Sequence, residues 1–455
     1  MDLQSNTALV VKVAEAVAAE VEEIVVQEED ISVAEIENGM RRFLHEVGRH
    51  SLQQVLSQSE ARYSEAEKEC PHCGAEATYQ RRREASLISL FGKVYYRRHY
   101  YLCAHCRQGH FPLDQRLGLQ PGCVSAGLAP LLALLGIQTS FAKSSDKLAE
   151  ELLLVRVSDN TIRKETRQMG RLQMSVEQEK QAESQRRNLH RERAQAGSDV
   201  PKRLYGSLDG TIVPLEKEWR ELKAGCWYRV ETTKPPGAED VVGEQPSLRA
   251  TDLTYFCDIT RAEDFSSLFW ATGCHRQAHL VEELVFVADG AAWIWRLVER
   301  NFPDAIQIVD WYHAVEYLSP IAHAAFADTD AQEAWLAKAK QLLWEGRIRD
   351  LINGCHDLLD HPEAAEPAQT AITYFQNNRH RMDYARYRAE GYQIGSGPIE
   401  SGCKQIASLR LKRPGARWTE AGARETAKAR AAWLSGHWNE LKARRRQVAD
   451  LPLAA

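Results

Sequence analysis

Residues 284–310 read LVFVADGAAWIWRLVERNFPDAIQIVD. Leu284 to Ala288 is an unbroken apolar run and predicts a strand, which leads straight into Asp289-Gly290. Ala291 to Asn301 predicts a helix, and Ala305 to Val309 a second strand that ends at Asp310. Upstream, Leu204 to Leu208 predicts a short strand ending at Asp209-Gly210. Thr211 to Leu215, Gly225 to Val230 and Leu253 to Ile259 predict further strands, with an excursion loop rich in Pro, Gly and acids over 232–250. Ala262 to Leu284 reads as helix with a break near Gly273. The order is that of a mixed α/β sheet, where functional groups gather on the loops at strand ends.

A third carboxylate stands far downstream, in Gly395-Ser-Gly-Pro398-Ile-Glu400-Ser-Gly402. Pro398 suits the first position of a helix. Glu400 then sits in its first turn, with Ile399, Cys403, Ile406 and Arg410 along one side. Each carboxylate has a plainer reading. Asp-Gly is also a turn signal, and an acid near a helix N-terminus is favourable in itself. Residues 311–385, between the last strand and this helix, read as helical throughout.

Four of the ten cysteines form two pairs, Cys70-Pro-His-Cys73 and Cys103-Ala-His-Cys106, with 29 residues between them. Ala85 to Leu102 reads as a hairpin turning near Phe91-Gly92. A hairpin that leaves one pair and returns to the other brings four sulfurs together, the set that a closed tetrahedral Zn²⁺ site takes. A redox dithiol needs only one pair, and the other six cysteines are scattered as free thiols of a reducing compartment are. His72 and His105 are substitute ligands or surface residues of the two turns.

The chain has 455 residues, room for about three domains. Its longest apolar run, Ala126 to Ile137, is twelve residues, too short to span a bilayer. The chain opens on no charged-then-apolar leader, so a cytoplasmic location is expected, with no membrane partner. A net charge of −5 argues against nucleic acid only while it is taken whole. Residues 1–69 carry −9, residues 70–119 carry +5 and residues 401–455 carry +8. The hairpin interleaves arginines with Tyr95, Tyr96, Tyr100 and Tyr101, which suits either phosphate contact with stacking or a solvated strand face. Ser145 to Leu153, Val155 to Ser158 and a helix from Asn160 follow a helix-turn-helix pattern, with Arg163, Lys164 and Arg167 on the outer side. Cores that never touch DNA use the same pattern. Arg171 to Ala196 almost lacks an apolar stripe and reads as a charged linker helix.

Asp209-Gly210, Ala288-Asp289-Gly290 and Gly397-Pro398-Ile399-Glu400-Ser401 resemble the three acidic motifs of DDE transposases. Asp310-Trp-Tyr-His313 resembles the Asp-x-x-His signature of the Mutator-like superfamily. The Ser-Gly-Pro-Ile-Glu-Ser-Gly segment followed by Leu411-Lys-Arg-Pro-Gly-Ala-Arg-Trp418 is similar to the bacterial ISKra insertion-sequence transposases. The resemblance covers roughly residues 65–440. It implies a ribonuclease H-like core in which Asp209, Asp289 and Glu400 hold two Mg²⁺ or Mn²⁺ ions, with Asp310 and His313 in support. It also implies DNA as partner, both element ends and target, and a homodimer or higher oligomer that pairs two ends. Lys404, Arg410, Lys412, Arg413 and Arg417 follow Glu400 and are expected to steer DNA phosphates, while Trp418 stacks on a base or is a buried aromatic.

The expected organisation is an acidic helical region (1–64), a zinc-binding module (65–119), a helical DNA-binding region with linker helix (120–200), the first part of the core (201–314), a helical insertion (315–394), and the core helix carrying Glu400 with a basic tail (395–455). Two other functions share these features: a DNA-binding zinc protein without catalysis, and a metal-dependent nuclease that does not join strands.

Overall fold

In the computed structural model the two cysteine pairs stand at the ends of one hairpin, β1 (Ala77–Ser89) and β2 (Gly92–Cys103). The strands pair from Ala77↔Cys103 to Ser89↔Gly92, further than the sequence suggested. Gly92 closes the turn at φ +85°, a conformation glycine adopts without strain. A short strand, β3 (Gly109–His110), pairs with β2. Leu87, Val94 and Tyr96 on one hairpin face bury against Leu52 and Leu56 of helix α1 (Val33–Ser64) and Leu113 of α2 (Pro112–Leu117). Ser32 and Glu35 form a capping box at the start of α1: Ser32 N–H donates to Glu35 Oε2 at 2.8 Å, and Glu35 N–H to Ser32 Oγ at 3.4 Å. The structure describes residues 32–64, 69–188, 199–232 and 248–449, with scattered positions besides. Most of the acidic stretch before Ser32 lies outside the described residues.

Helices α3 (Ala129–Gln138) and α4 (Phe141–Lys143), a π turn (Ser144–Ala149) and α5 (Glu150–Leu153) lead to α6 (Asp159–Arg186). Leu128, Leu132, Val155 and Ile162 share a core there. Ser158 caps α6 as expected, its Oγ accepting Thr161 N–H at 3.2 Å. The linker helix is corrected: α6 is a single helix of 28 residues. Its second half does bury a stripe: Leu172, Gln173, Val176, Glu177 and Ser184. Polar members hid that stripe from a reading based on apolar periodicity. Gln173 donates to Glu177 at 3.0 Å, and Glu177 pairs with the buried Lys428 ammonium. Of the predicted linker, residues 189, 190 and 193–196 lie outside the described residues.

The chain forms two compact units, Met1–Met169 with Glu440–Ala455, and Gly170–Asn439. The division falls within α6. The second unit is a mixed α/β fold. Its elements are β4 (Arg203–Pro214), β5 (Trp219–Thr232), β6 (Leu248–Asp258), α7 (Ala262–His275), β7 (Glu283–Ala288), α8 (Ala292–Asn301) and β8 (Ile306–Val309). The strands lie in the order β6-β5-β4-β7-β8. β4, β5 and β6 are antiparallel neighbours, and β7 and β8 continue the sheet in parallel.

Two sequence expectations change here. The predicted strands 204–208 and 211–215 are one strand, and Asp209-Gly210 lies inside it, paired with Ala224 and Lys223. Ladder hydrogen bonds to a neighbouring strand outweigh the local turn preference of Asp-Gly. β6 starts at Leu248, inside the predicted loop. Residues 233–241 and 243–247 of that loop are outside the described residues.

The two sides of β4 differ. Gly206 and Leu208 face an aromatic core in which Trp227 stacks on Phe269 at 5.5 Å, with Phe256, Phe286 and Phe302 around them. A Cβ at Gly206 would come within 2.3 Å of Phe286, so only glycine fits beneath these rings. Tyr205, Ser207 and Asp209 alternate to the other side.

After β8 come six helices, α9 (Trp311–Glu316), α10 (Ser319–Ala325), α11 (Thr329–Trp344), α12 (Ile348–His356), α13 (Ala365–Asn378) and α14 (Tyr384–Ala389). Tyr384 donates its hydroxyl to Val309 O at 2.9 Å and Tyr387 to Gln307 O at 3.2 Å, which fastens α14 to β8. The chain then returns through α15 (Gly397–Cys403), a π turn (Lys404–Ser408), α16 (Glu420–Leu434) and α17 (Trp438–Ala449). Among the described residues, no helix is long and apolar enough to cross a membrane.

Candidate active site

Strand register sets three aspartates at one level. β4 and β7 pair in parallel from Arg203↔Glu283 to Gly206↔Phe286. The same offset, carried three residues further, places Asp209 beside Asp289. β7 and β8 pair up to Ala288↔Val309, and Asp310 N–H donates to Ala288 O at 2.7 Å, so Asp310 stands beside Asp289 on the far side. Tyr255 on β6 receives α15 over this face. Its hydroxyl donates to Pro398 O at 3.4 Å, and its ring sits where a Cβ at Gly402 would reach within 2.6 Å. Ser396 precedes α15 without a capping hydrogen bond from its side chain, Gly397 opens the helix, and Pro398 occupies the second position rather than the first. Ile399, Cys403, Ile406 and Arg410 are all buried, but the helix ends at Cys403, with Ile406 in the π turn and Arg410 beyond it, so the continuous helix expected from the spacing is corrected.

Asp310 is the fastening point. It is fully buried and caps α9, accepting His313 N–H at 2.7 Å and lying 3.1 Å from His313 Nδ1. Its other oxygen accepts Ser396 N–H at the start of α15. Ser396 in turn donates its hydroxyl to Glu400 Oε1 at 2.8 Å. One carboxylate therefore sets both the His313 helix and the Glu400 helix against the strand ends.

The electrostatics separate the three aspartates. Burial pushes the Asp209 carboxyl up, and repulsion from Asp289 adds to it; hydrogen bonds from the Cys403 thiol and Gly210 N–H act the other way. Burial likewise pushes Asp289 up, against the hydrogen bond from Ala291 N–H. Burial acts upward on Asp310 too, but the hydrogen bonds from His313 and Ser396 hold it below its ordinary value. His313 is raised to about 9, first by its hydrogen bond to Asp310.

Among the described residues, neither Asp209 nor Asp289 has a lysine or arginine partner. Two half-buried carboxylates side by side without one suit a divalent cation, and with Glu400 they offer the hard oxygen donors that Mg²⁺ and Mn²⁺ take. The tightest acidic group is a different one. Ligand atoms of Asp310, His313 and Glu400 lie within 4.8 Å of one another, and Asp209 and Asp289 are not in that set. Both Asp310 oxygens are occupied by N–H donors, which makes Asp310 a positioning residue here.

The space beside Gly210 is taken by the Glu221 carboxylate and that beside Gly290 by the Tyr374 ring. What opens at Asp289 is a cleft of about 630 Å³ between the strand ends, α9 and α13, lined by His313, Glu316, Tyr317, Glu366 and Tyr374 among others. Sequence reading missed Tyr317 and Tyr374, because isolated tyrosines in a helical stretch carry no local signal.

The basic residues divide. Lys404, Lys412 and Arg417 are exposed. Lys412 donates to Thr211 at 2.6 Å, two residues along β4 from Asp209 and on the same side. Arg413 is half-buried and donates to Leu409 O at 2.9 Å. Arg410 is corrected: at 2% exposure its guanidinium lies 4.8 Å above the Trp418 ring and cannot meet a phosphate. Trp418 is the buried aromatic, donating Nε1–H to Leu411 O at 3.0 Å. In the first unit Arg163 and Lys164 are exposed and Arg167 half-buried. Arg163 already pairs with Asp159 at 3.1 Å.

Also in the first unit, Cys70, Cys73, Cys103 and Cys106 bring their sulfurs within 4.8 Å of one another. Two matching turns do this. Gly74 N–H donates to Cys70 O and Arg107 N–H to Cys103 O, both at 2.9 Å, and Gly74 and Arg107 are both left-handed, at φ +73° and +59°. The hydrogen bond from Cys106 N–H draws the Cys103 thiol down to about 6. Four thiols so placed suit a tetrahedral metal ion such as zinc. His72 and His105 are exposed and outside the set.

Residues 26–195 match the model of a family described as an uncharacterised protein family, UPF0236. No curated protein matches the sequence. Among solved structures, a chain of the Drosophila P element transposase strand transfer complex is similar at 10% identity, over 71% of this chain and 82% of that one, with a TM-score of 0.24.

Proposed function

We propose that this chain is a DDE transposase of an insertion sequence, with a ribonuclease H-like core, related to the ISKra group of the Mutator-like superfamily. The observation that carries the reading is the strand register that sets Asp209, Asp289 and Asp310 at one level, beneath the helix bearing Glu400. The strand order, with β4 central and β7 and β8 added in parallel, agrees with that core, and the five helices α10 to α14, within residues 315–394, act as its insertion.

In this reading Asp209, Asp289 and Glu400 hold two Mg²⁺ or Mn²⁺ ions. When bound, the ions supply an activated water and stabilise charge on the leaving oxygen. Burial keeps Asp209 and Asp289 rigid and poorly solvated, so their charge is directed at the cation. Asp310 keeps Glu400 in reach by holding the first turn of α15. Lys404, Lys412 and Arg417 neutralise phosphates of the bound strand. The four cysteines hold one structural Zn²⁺, and Arg163, Lys164 and Arg167 sit on a helix presented to element ends. Cleavage at the ends frees a 3′-hydroxyl, which attacks target DNA, and two copies pair the two ends.

The test is strand cleavage and joining with DNA that flanks the coding region, in Mg²⁺ or Mn²⁺. Asp289→Asn should slow both steps by about a thousandfold, the several kcal/mol that such ions supply. Cleavage without joining would make the protein a nuclease. DNA binding with no metal-dependent cleavage would make it a zinc-containing regulator.

A further inference from the structure

Helix α13 carries a polar, uncharged stripe. Gln369, Thr370, Thr373 and Asn377 recur at helical spacing and are all exposed, with Glu366 one turn earlier. Together with Ala292, Arg296 and Glu299 of α8 they line a groove of about 600 Å³. The groove opens into the cleft at Asp289, since Gly290, Tyr317, Thr370 and Tyr374 line both. A hollow of this volume has the size of a small-molecule site and no room for a duplex.

The two walls differ in chemistry. The Thr370 and Thr373 hydroxyls donate to Glu366 O and Gln369 O, at 3.0 and 2.9 Å, so they present only acceptor lone pairs to the groove. The amides of Gln369 and Asn377 add both donors and acceptors. No group on this wall offers a phosphate a positive charge, and Glu366 at its head repels one. On the other wall Arg296 is exposed. Among the described residues it has no ion-pair partner, since Glu299 on the same helix is taken by Arg381 at 2.7 Å. A cation thus faces amides and hydroxyls across a narrow groove. A nucleotide is divided in the same way, with an anionic phosphate and a base edge that carries donors and acceptors. A strand that reacts at Asp289 must also continue beyond the reacting phosphate, and the groove leads out of that cleft.

We infer that the groove between α8 and α13 holds the single DNA strand that runs out of the cleft at Asp289, with Arg296 on its phosphates and Gln369 and Asn377 on its base edges. The inference rests on the transposase reading above. Arg296 then supplies affinity that salt weakens, and the two amides supply contacts that salt leaves alone.

The full chain can be tested with a fluorescent single-stranded oligonucleotide and with an abasic strand of the same length, over a range of salt. Arg296→Ala should weaken binding of both by about threefold to tenfold. It should also flatten the plot of log affinity against log salt by about 0.7, the value for one phosphate contact on a single strand. Asn377→Ala should weaken binding of the base-bearing strand by about twofold to tenfold, with the salt slope and the abasic strand unaffected. Both variants should melt within about 2 °C of wild type, because the altered side chains are exposed. A wild-type slope in Arg296→Ala, or an Asn377→Ala loss that persists on the abasic strand, overturns the inference. Nicking of supercoiled plasmid in Mn²⁺ by wild type and Asp289→Asn is measured alongside. If only wild type nicks while Arg296→Ala keeps the wild-type slope, the groove alone is excluded and the transposase reading stands. If wild type nicks no faster than Asp289→Asn, both fall together.

Discussion

Asp310 accepts the backbone N–H of Ser396, 86 residues downstream, and so closes the six-helix excursion at the end of β8. The same carboxylate accepts His313 N–H at 2.7 Å. Together with the Tyr255 contacts to Pro398 and Gly402, this buried group brings Glu400 to the strand ends.

Asp310→Asn turns an acceptor-only group into one whose amide faces N–H donors. Breaking a buried, charge-assisted arrangement of this kind should lower stability by about 3 kcal/mol. Metal-dependent activity should fall with it. Urea denaturation measures the first effect, and a loss under about 1 kcal/mol would show that Asp310 does not fasten α15.

His313 gives a pH signature. Its pKa is about 9 in the folded protein, raised by Asp310, against about 6.5 unfolded. A raised histidine stabilises the fold fully below about pH 6.5, and the contribution is lost as pH rises through about 9. In metal-free protein, the imidazole proton resonances should titrate near that value, moving toward 6.5 in Asp310→Asn. A wild-type midpoint near 6.5 contradicts the pairing.

Lys428 is 2% exposed and sits between Glu177 of α6 and Asp258 of β6, the latter at 2.9 Å. Lys428→Met leaves two carboxylates without their cation and should cost about 3–5 kcal/mol. Adding Glu177→Gln should restore part of that. Independent, additive effects in a double-mutant cycle would show that the two residues are uncoupled.

Arg410 and Lys412 should behave oppositely in DNA binding. Lys412→Ala, like Lys404→Ala and Arg417→Ala, should reduce the slope of log affinity against log salt by about one. Arg410→Ala should leave the slope alone and lower the melting temperature, because its guanidinium stacks on buried Trp418. A slope change for Arg410→Ala at unchanged stability would return it to the surface.

The four-cysteine set should hold about one zinc per chain, with Cys70→Ser losing it. Elemental analysis of the purified chain decides this, and protein free of zinc would leave the four thiols without a ligand role.

Short-range signals were enough to read the Cys-x-x-Cys pairs, the hairpin between them, the apolar strand at 284–288 and the cap at Ser158. Each depends on residues that are neighbours along the chain, so propensity and spacing reveal it. The candidate acids were legible singly, as residues at or near strand ends and in a first helical turn. Their common level was not, because register is a property of hydrogen bonds between strands that lie 80 residues apart in the chain. The same cause explains the differences. Asp209-Gly210 is a turn by local preference and a strand by pairing. Gln173 and Glu177 look solvated until Lys428 arrives from another helix to neutralise the stripe. Arg410 shares a basic run with Lys412 but faces inward, where burial is decided by what packs opposite. Nothing in the neighbourhood of Tyr374 marks it, and only the folded chain sets its ring against Gly290 and Tyr317.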